Sequence, residues 1–233
     1  MAGRVFFSGS GQCRAEILPS MNEIKFASVG QTWIGLVKIT LQTGVSVNDE
    51  TLELTGVRVA FSAAAQDDPL IRQFGDARMI AEMDKVFFAD GANSLGHRYS
   101  ELMRGPGGRH DLQDVISLLR VEPASKRAVV TLCGLGDGKV PCINVVQFLV
   151  RSQTLHTIYF ARGQDAFKKF YADALCLAKM ARRVAEALNL PAGRVEGFLG
   201  SSHVYHSDRA AIDDLQARAE EFRSRGELEG AVG

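Results

Sequence analysis

The chain has 233 residues, of which 46% are hydrophobic, and its 27 basic and 27 acidic residues give a formal net charge of zero. This length and apolar fraction suit a single domain, residues 1–233, with a substantial core, and the charge balance excludes a highly charged disordered chain and disfavours a nucleic-acid partner. No apolar run reaches the ~18–20 residues of a membrane helix, the start lacks a signal-peptide pattern, and the four cysteines show no CxxC spacing, so we expect a soluble cytoplasmic protein without a membrane partner.

Helices and strands are mixed in the first half of the chain. Apolar residues at helical spacing predict a helix over residues 31–42, and alternation predicts a strand over 52–60. A helix is predicted over 77–88, a loop over 91–96, and a short helix over 111–119, which keeps its apolar residues on one face. The first half therefore contributes three helices and one strand.

The middle of the chain is richer in strands. A strand is predicted over residues 127–133, and the glycine cluster over 134–138 predicts a turn. Two further apolar runs, over 145–150 and 155–160, predict a hairpin that turns near 151–153.

The last third contains a long helix over residues 166–189, with Asp165 as its predicted N-cap. A short strand is predicted at 204–205, and a polar helix over 207–225 ends the chain. Because strands and helices do not alternate strictly, we predict an α+β fold with a mixed sheet packed against helices.

Three patterns imitate known sites. The glycines of residues 134–139 lack the spacing of a phosphate-binding loop, so a turn is the simpler interpretation. His203, His206 and Asp208 lack an obvious further ligand, so we expect no metal. The aromatic residues and lysines of 167–171 have the spacing of a buried helix face beside a solvated one, which is simpler than a nucleic-acid patch.

A cysteine and an arginine stand 20 residues apart at the centre of the remaining polar motifs. Cys142 precedes an apolar strand, where cysteine is more often a buried hydrophobe, but Arg162 leads out of the predicted hairpin toward it. A guanidinium beside a thiol lowers the thiol pKa and binds anions. The residues alone thus allow a reactive cysteine beside an anion site.

The order and spacing of five motifs resemble the folate-dependent thymidylate synthases and their nucleotide hydroxymethylase relatives. The likeness is strong over residues 96–208, weak over 1–95, and closest to CMP hydroxymethylases and the short archaeal-type thymidylate synthases. The motifs are Ser125-Lys-Arg-Ala-Val-Val130, Pro141-Cys142, Gln147-Phe148, Arg162-Gly-Gln-Asp165 and Ser202-His-Val-Tyr205.

The resemblance implies that 5,10-methylenetetrahydrofolate is the co-substrate and that Cys142 is the nucleophile that adds to C6 of a pyrimidine nucleotide. It implies that Tyr99 assists proton removal from C5 and that Arg162 binds the 5′-phosphate. Lys126 and Arg127 match a basic pair that reaches the phosphate from the other subunit, so a homodimer through the sheet is expected.

The base and the sugar are assigned to four further residues by the same resemblance. Gln147 and Asp165 match polar residues around the pyrimidine, and Asp165 also matches a residue near the pterin. His203 and Tyr205 match the pair that binds a sugar hydroxyl.

Asp173 departs from the thymidylate synthases, which the resemblance gives an asparagine at this place. An amide complements uracil, whereas an ionised carboxylate accepts from the 4-amino group of cytosine and offers nothing to uracil O4. The relatives with aspartate here resemble cytidylate hydroxymethylases. We therefore expect a cytosine nucleotide, the alternative being that Asp173 is an ordinary surface residue of its helix.

Two more departures concern the sugar. The family usually has arginine where Lys126 stands and serine where Gly163 stands. Both changes remove atoms near the nucleotide, and we infer room for a ribose 2′-hydroxyl and hence CMP. Alternatively, Gly163 serves the local backbone.

Some expected residues have no clear counterpart. The histidine that usually follows the nucleophile is Ile143, and no arginine of the first phosphate loop stands near residues 48–51. For the catalytic glutamate the candidates are Glu82 and, behind it, Glu101, although either can equally be a solvated acid.

These residues predict an enzyme that makes 5-hydroxymethyl-CMP by water attack on a Cys-bound methylene intermediate and that serves a modified-nucleoside pathway. The alternatives are a dCMP hydroxymethylase, a dUMP-methylating thymidylate synthase, and a nucleotide-binding protein without catalytic activity.

Overall fold

The computed structural model describes residues 22–64, 67–93, 96, 98–104, 111–132 and 140–225, and the backbone of 2–7 and 13–18. The helices are α1 (Val29–Thr43), α2 (Pro69–Phe74), α3 (Ala77–Phe88), α4 (Tyr99–Leu102), α5 (Asp111–Val121), α6 (Phe170–Ala187) and α7 (Arg209–Ser224). The strands are β1 (Ala2–Phe7), β2 (Cys13–Leu18), β3 (Asn22–Lys25), β4 (Val45–Ser46), β5 (Thr51–Ser62), β6 (Val129–Thr131), β7 (Ile143–Arg151), β8 (Thr154–Ala161), β9 (Gln164–Asp165) and β10 (Ala192–Tyr205).

One mixed sheet organises the molecule. Its strand order is β3-β5-β10-β8-β7-β6, with β4 paired to β5 and β9 paired to β10, while β1 and β2 form a separate hairpin. The β3–β5, β10–β8 and β10–β9 pairs are parallel and the other pairs are antiparallel. This architecture confirms the predicted α+β fold.

Helices α1 and α6 cover one face of this sheet and bury its apolar side chains. Trp33 of α1 is almost fully buried, and its Nε1–H donates to the carbonyl of Phe167 at 3.0 Å, which ties α1 to the segment before α6. Thr40 of α1 and Ser202 of β10 share a buried hydroxyl hydrogen bond of 2.9 Å. The core therefore fixes α1 against both the sheet and α6.

The long strands β5 and β10 change the face they bury near two glycines. In β10, Leu199 is buried, but beyond Gly200 the buried residues are Ser202 and Val204, so the alternation changes phase. In β5, Gly56 has φ +66, a left-handed conformation that marks an irregularity within a strand. The shift leaves the last residues of β10, including His203, on a half-exposed side.

Several predicted elements are confirmed. The helix predicted over residues 77–88 has those bounds, because the Asp76 carboxylate accepts from the backbone N–H groups of Arg78 and Met79. The predicted hairpin is β7–β8, and its turn residues Ser152 and Gln153 both have positive φ, as a two-residue turn requires.

Most other elements differ from their predicted bounds by one to three residues, and two differ in a way that has a structural reason. Helix α6 begins at Phe170, not at residue 166, because Asp165 instead caps the turn over 166–169 with hydrogen bonds from the backbone N–H groups of Phe167 and Lys168. The strand predicted at 204–205 is the end of the 14-residue strand β10. The glycine cluster predicted as a turn over 134–138 lies outside the described residues. Among the residues described, no helix is long and apolar enough to cross a membrane.

Candidate active site

Cys142 lies immediately before β7, and its thiol is half-buried. Its carbonyl accepts from the backbone N–H of Arg162 at 2.9 Å, so the start of β7 is joined to the end of β8. Burial and the nearby Asp173 raise the pKa of the Cys142 thiol, while Arg162 and Lys169 act in the opposite direction. The thiol is therefore protonated at pH 7, and Arg162 and Lys169 are the nearby cations that favour its thiolate form.

Arg162 is solvent-exposed but held in place. Its Nε donates to the carbonyls of Val140 and Pro141 at 3.0 and 3.1 Å, and its Nη2 donates to Val140 at 2.6 Å. The guanidinium thus lies along the segment that leads into Cys142. This arrangement brings the predicted nucleophile and the predicted phosphate ligand together.

Tyr99 joins the same group from the helix side. It is 1% exposed, its ring meets Phe87 edge-on at 4.6 Å, and its hydroxyl accepts from the backbone N–H of Ile143 at 3.4 Å. Burial, with Asp173 and Cys142 nearby, strongly raises the pKa of the Tyr99 hydroxyl. Tyr99 is consequently a neutral phenol next to the nucleophile's strand.

Asp173 and Gln164 form a buried pair. Asp173, on the first turn of α6, is 4% exposed, and Gln164 of β9 is 2% exposed. Gln164 Nε2 donates to Asp173 Oδ2 at 3.0 Å, whereas Oδ1 accepts no hydrogen bond from the residues that the structure describes. Burial raises the pKa of Asp173 to about 6, partly offset by Gln164 and Lys169. A buried carboxylate oxygen without a donor marks a place for a ligand donor.

The parallel pairing of β9 with β10 places Asp165 opposite His203. His203 and Tyr205 are two residues apart on β10, with ring centroids separated by 5.6 Å. Burial lowers the pKa of His203, so its imidazole is neutral at pH 7, and burial raises the pKa of Asp165. Lys168 Nζ lies 5.1 Å from the Tyr205 ring and pairs with Asp208 at 2.7 Å.

Other predicted site residues lie apart from this group. Gln147 Nε2 donates to the carbonyl of Lys126 at 2.8 Å, and Arg127, whose side chain is 71% exposed, pairs with Glu122 at 2.7 Å. Glu82 is solvent-exposed on α3 and makes no hydrogen bond or ion pair with the described part of the chain. The structure does not join these four residues to Cys142 by a contact.

Two residues of the candidate site are not singled out by the sequence, Gln164 and Lys169. Gln164 lies between Arg162 and Asp165 in the arginine motif. Adjacent side chains of a strand point to opposite faces, so a strand here places Gln164 on the face opposite to Asp165. Lys169 stands four residues before Asp173, whose backbone N–H bonds to its carbonyl, so the two share a helix face.

A cavity of about 450 Å³, here called the aromatic cavity, opens beside the turn that follows Asp165. Its wall includes Trp33, Phe74, Phe167, Lys168, Tyr171 and Arg218. Phe167 and Lys168 are the two residues whose backbone N–H groups hold the Asp165 carboxylate. The cavity is therefore continuous with the segment that carries a predicted site residue.

Comparison with known proteins places this arrangement in a family. The chain is 22% identical over 207 residues to a protein of Methanothermobacter marburgensis, covering 78% of this chain and 92% of the relative, and 23% identical over 202 residues to a protein of Methanosarcina mazei, covering 82% and 93%. Both carry thymidylate synthase as a provisional name, and a Mycoplasma pneumoniae thymidylate synthase is 26% identical over 124 residues, covering 52% of this chain and 43% of the relative. The family model described as thymidylate synthase matches residues 45–229. The chain thus belongs to the thymidylate synthase family of folate-dependent pyrimidine C5 transferases.

Proposed function

We propose that this protein transfers the one-carbon unit of 5,10-methylenetetrahydrofolate to C5 of CMP and yields 5-hydroxymethyl-CMP. The observation that carries the choice of cytosine is the buried Oδ1 of Asp173, which has no donor among the described residues and lies within electrostatic range of the Cys142 thiol. Cytosine presents a 4-amino donor where uracil presents the O4 acceptor. An ionised Asp173 accepts from the amino group and repels O4, and an unpaired buried group of this kind discriminates strongly.

The chemistry assigned to this chain begins at Cys142. Its thiolate forms a bond to C6, and the C5–C6 electron pair moves to C5, which becomes the nucleophile. Methylenetetrahydrofolate supplies the electrophilic carbon when it is bound. Arg162 and Lys169 favour the thiolate, and the neutral Tyr99 hydroxyl orders the proton path from C5. Loss of the C5 proton and of tetrahydrofolate, which would keep the electron pair of its bond to the transferred carbon, leaves an exocyclic methylene at C5 of the Cys142 adduct. Water adds to that methylene carbon and becomes the product hydroxyl, and the C5–C6 double bond forms again as the Cys142 thiolate leaves C6 with the electron pair of the C–S bond. Glu82 remains a candidate for ordering that water, without a contact to support it.

Gly163 supports a ribonucleotide. A Cβ at this position meets no atom within 4 Å, and Gly163 is not among the residues with positive φ. Neither a positive φ nor close packing therefore requires glycine at this position, which argues against a purely local backbone role. The open space beside Arg162 suits the 2′-hydroxyl of CMP.

The aromatic cavity fits the folate. Phe74, Phe167 and Tyr171 offer apolar surface to a flat ring system. Lys168 and Arg218 also line the cavity, and because they pair with Asp208 and Asp214, the glutamyl carboxylates would compete with these two acids for them. Because Trp33 is the single tryptophan, its fluorescence reports on this cavity. Methylenetetrahydrofolate should quench it, and Phe167→Ala should weaken the quenching while CMP affinity is kept. Quenching that is unchanged in Phe167→Ala would place the folate elsewhere.

A homodimer is proposed through the face of the sheet turned away from α1 and α6, here called the outer sheet face. Val129, Gln147 and Ile158 are neighbours across β6, β7 and β8, and a second row contains Phe160 and Phe198, stacked at 5.9 Å. Val129, Ile158 and Phe198 are 38–41% exposed, an apolar patch typical of an interface. Gln147 links this face to Lys126.

Mixing two inactive variants tests the homodimer. If Arg127 acts across the interface, an equal mixture of the Cys142→Ser and Arg127→Ala proteins should recover about a quarter of the wild-type activity. About half of the dimers in the mixture contain one chain of each variant, and each of these dimers has one intact site. No recovery, or a monomer at micromolar concentration in light scattering, would contradict the trans assignment of Lys126 and Arg127.

The direct test supplies methylenetetrahydrofolate with CMP, dCMP or dUMP and measures product mass. We expect CMP to gain a hydroxymethyl group. Methylation of dUMP alone would favour the second candidate, which the names of the archaeal relatives support. Binding of CMP without tritium release from C5 would identify a nucleotide-binding protein without catalysis.

A further inference from the structure

The Gln164–Asp173 pair connects strand β9 with helix α6. Gln164 is on β9, which pairs with β10 at Ser202, and Asp173 is on the first turn of α6. The amide therefore stands on the sheet and holds the carboxylate of the helix at 3.0 Å. Both side chains are more than nine-tenths buried, so neither can exchange its partner for bulk water.

The hydrogen bond makes the two carboxylate oxygens unequal. Oδ2 is held by Gln164, whereas Oδ1 accepts no hydrogen bond from the described residues. Oδ1 is thus the carboxylate oxygen without a donor in the described part of the protein, and it is the oxygen that the proposed function assigns to the base. A carboxylate held in this way offers one acceptor in a fixed direction, instead of rotating to present either oxygen.

Resting on the proposed function, we propose that Gln164 is a positioning residue that makes Asp173 present a single ionised oxygen to the C4 substituent of the base, and thereby sets the preference for cytosine.

The charge state of Asp173 decides how well it discriminates. A protonated carboxyl can donate to uracil O4 and accept from N3–H, so it reads uracil much as an amide does, whereas the ionised form accepts only. Gln164 and Lys169 lower the pKa of Asp173, and burial and Asp165 raise it, with a net value of about 6. The other titratable groups that interact with Asp173 are Cys142, Tyr99, Tyr159 and Cys176, whose pKa values it raises. The preference for cytosine over uracil should accordingly grow as pH rises through about 6.

The experiment measures calorimetric affinities for CMP and UMP between about pH 5 and about pH 8. In the wild type the CMP-to-UMP affinity ratio should fall as pH decreases through about 6. Gln164→Met keeps the side-chain length but removes the donor, so the fall should move to higher pH and the ratio at neutral pH should drop about tenfold. Gln164→Glu adds a like charge and should shift the ratio in the same direction, which covers the case that the methionine variant does not fold.

A double-mutant cycle separates positioning from a structural role. In an Asp173→Asn background, Gln164→Met should leave the CMP-to-UMP ratio unchanged, because the residue through which it acts is gone. The inference is overturned if Gln164→Met and Gln164→Glu keep the wild-type ratio and pH midpoint while Asp173→Asn loses the preference. If Asp173→Asn itself retains the preference, the proposed reading of cytosine fails instead.

Discussion

The two ends of the candidate nucleotide site are built on different principles. At the base end, Asp173 and Gln164 are buried, and a single hydrogen bond fixes one oxygen and leaves the other without a donor. At the proposed phosphate end, Arg162 and, across the proposed dimer, Arg127 are exposed, and each already has partners, the carbonyls before Cys142 and the carboxylate of Glu122.

The difference shows where selectivity and affinity arise. A hydrogen bond in a dry site is sensitive to the wrong partner, because a mismatched group stays unpaired. Exposed cations attract a dianion over several ångströms but tolerate changes of position and are screened by salt. Base choice should therefore depend on single atoms within one chain, and phosphate affinity on several charges shared across the proposed dimer.

The largest expected effect is at the sulfur between the two ends. Cys142→Ser removes the thiolate that must bond to C6, so turnover should fall at least about ten-thousand-fold, while calorimetric CMP affinity stays near the wild-type value because neither end is altered. Cys176→Ser, at the buried cysteine of α6, is the matched control and should retain turnover. A Cys142→Ser protein that turns over CMP would remove this residue from the mechanism.

The base end is tested by Asp173→Asn. Replacing the acceptor-only carboxylate with an amide that can also donate should move kcat/KM from CMP toward UMP by about a hundredfold in their ratio. Steady-state kinetics with both nucleotides measures this. Glu186→Gln changes an exposed acid of the same helix and should leave the ratio as it is. Equal preferences in wild type and Asp173→Asn would mean that the carboxylate does not read the base.

The same substitution should stabilise the fold in a pH-dependent way. Because burial raises the pKa of Asp173 to about 6, the folded protein binds the carboxyl proton more tightly than the unfolded chain does. The ionised carboxylate therefore lowers the free energy of unfolding, and this loss develops as pH rises from about 4 to about 6. Linkage puts this cost at about 3 kcal/mol at pH 8. Urea unfolding should show Asp173→Asn more stable than wild type by up to that amount at pH 8, with about half the gap at pH 5.

An exposed aspartate provides the control for this comparison. Asp67→Asn removes a surface carboxylate paired with Arg72 and should show no such gain at high pH. If Asp173→Asn is no more stable than wild type at pH 8, the buried Asp173 carboxylate does not destabilise the folded protein.

The sequence predicted the elements that carry their own local signals. The helix over residues 77–88 has an aspartate cap at its start, and the β7–β8 hairpin has apolar alternation on both sides of a short turn. Of strand β10 the sequence predicts only the last two residues, because Gly197 interrupts the alternation before them. That glycine serves tertiary packing, since a Cβ there would lie 2.2 Å from the ring of Tyr159, and no local pattern reveals a contact with a residue 38 positions away.

The residues of the candidate site also divide into those that the sequence predicts and those that depend on tertiary packing. Cys142, Arg162 and Asp173 were predicted because they stand at fixed spacings in recognisable motifs, and the structure gathers them with Tyr99. The sequence does not single out Gln164, because its contact with Asp173 depends on the direction of its side chain on β9 and on the packing of α6 against that strand. Glu82 illustrates the reverse case, in which a residue type was matched to a role without a contact to hold it there.

The smallest expected effect concerns the sugar, between the two ends. Gly163→Ser fills space that the structure leaves open without straining the backbone, so the fold should be kept and the CMP-to-dCMP ratio of kcat/KM should fall about tenfold, the size of one lost or crowded hydroxyl contact. Gly163→Ala adds the Cβ without the hydroxyl and should cause a smaller fall, which separates volume from hydrogen bonding. Because both variants leave Asp173 and its partner untouched, their preference for cytosine over uracil should equal that of wild type. A change in base preference would mean that sugar and base are read by one coupled unit, and the separation of the two ends would then be wrong.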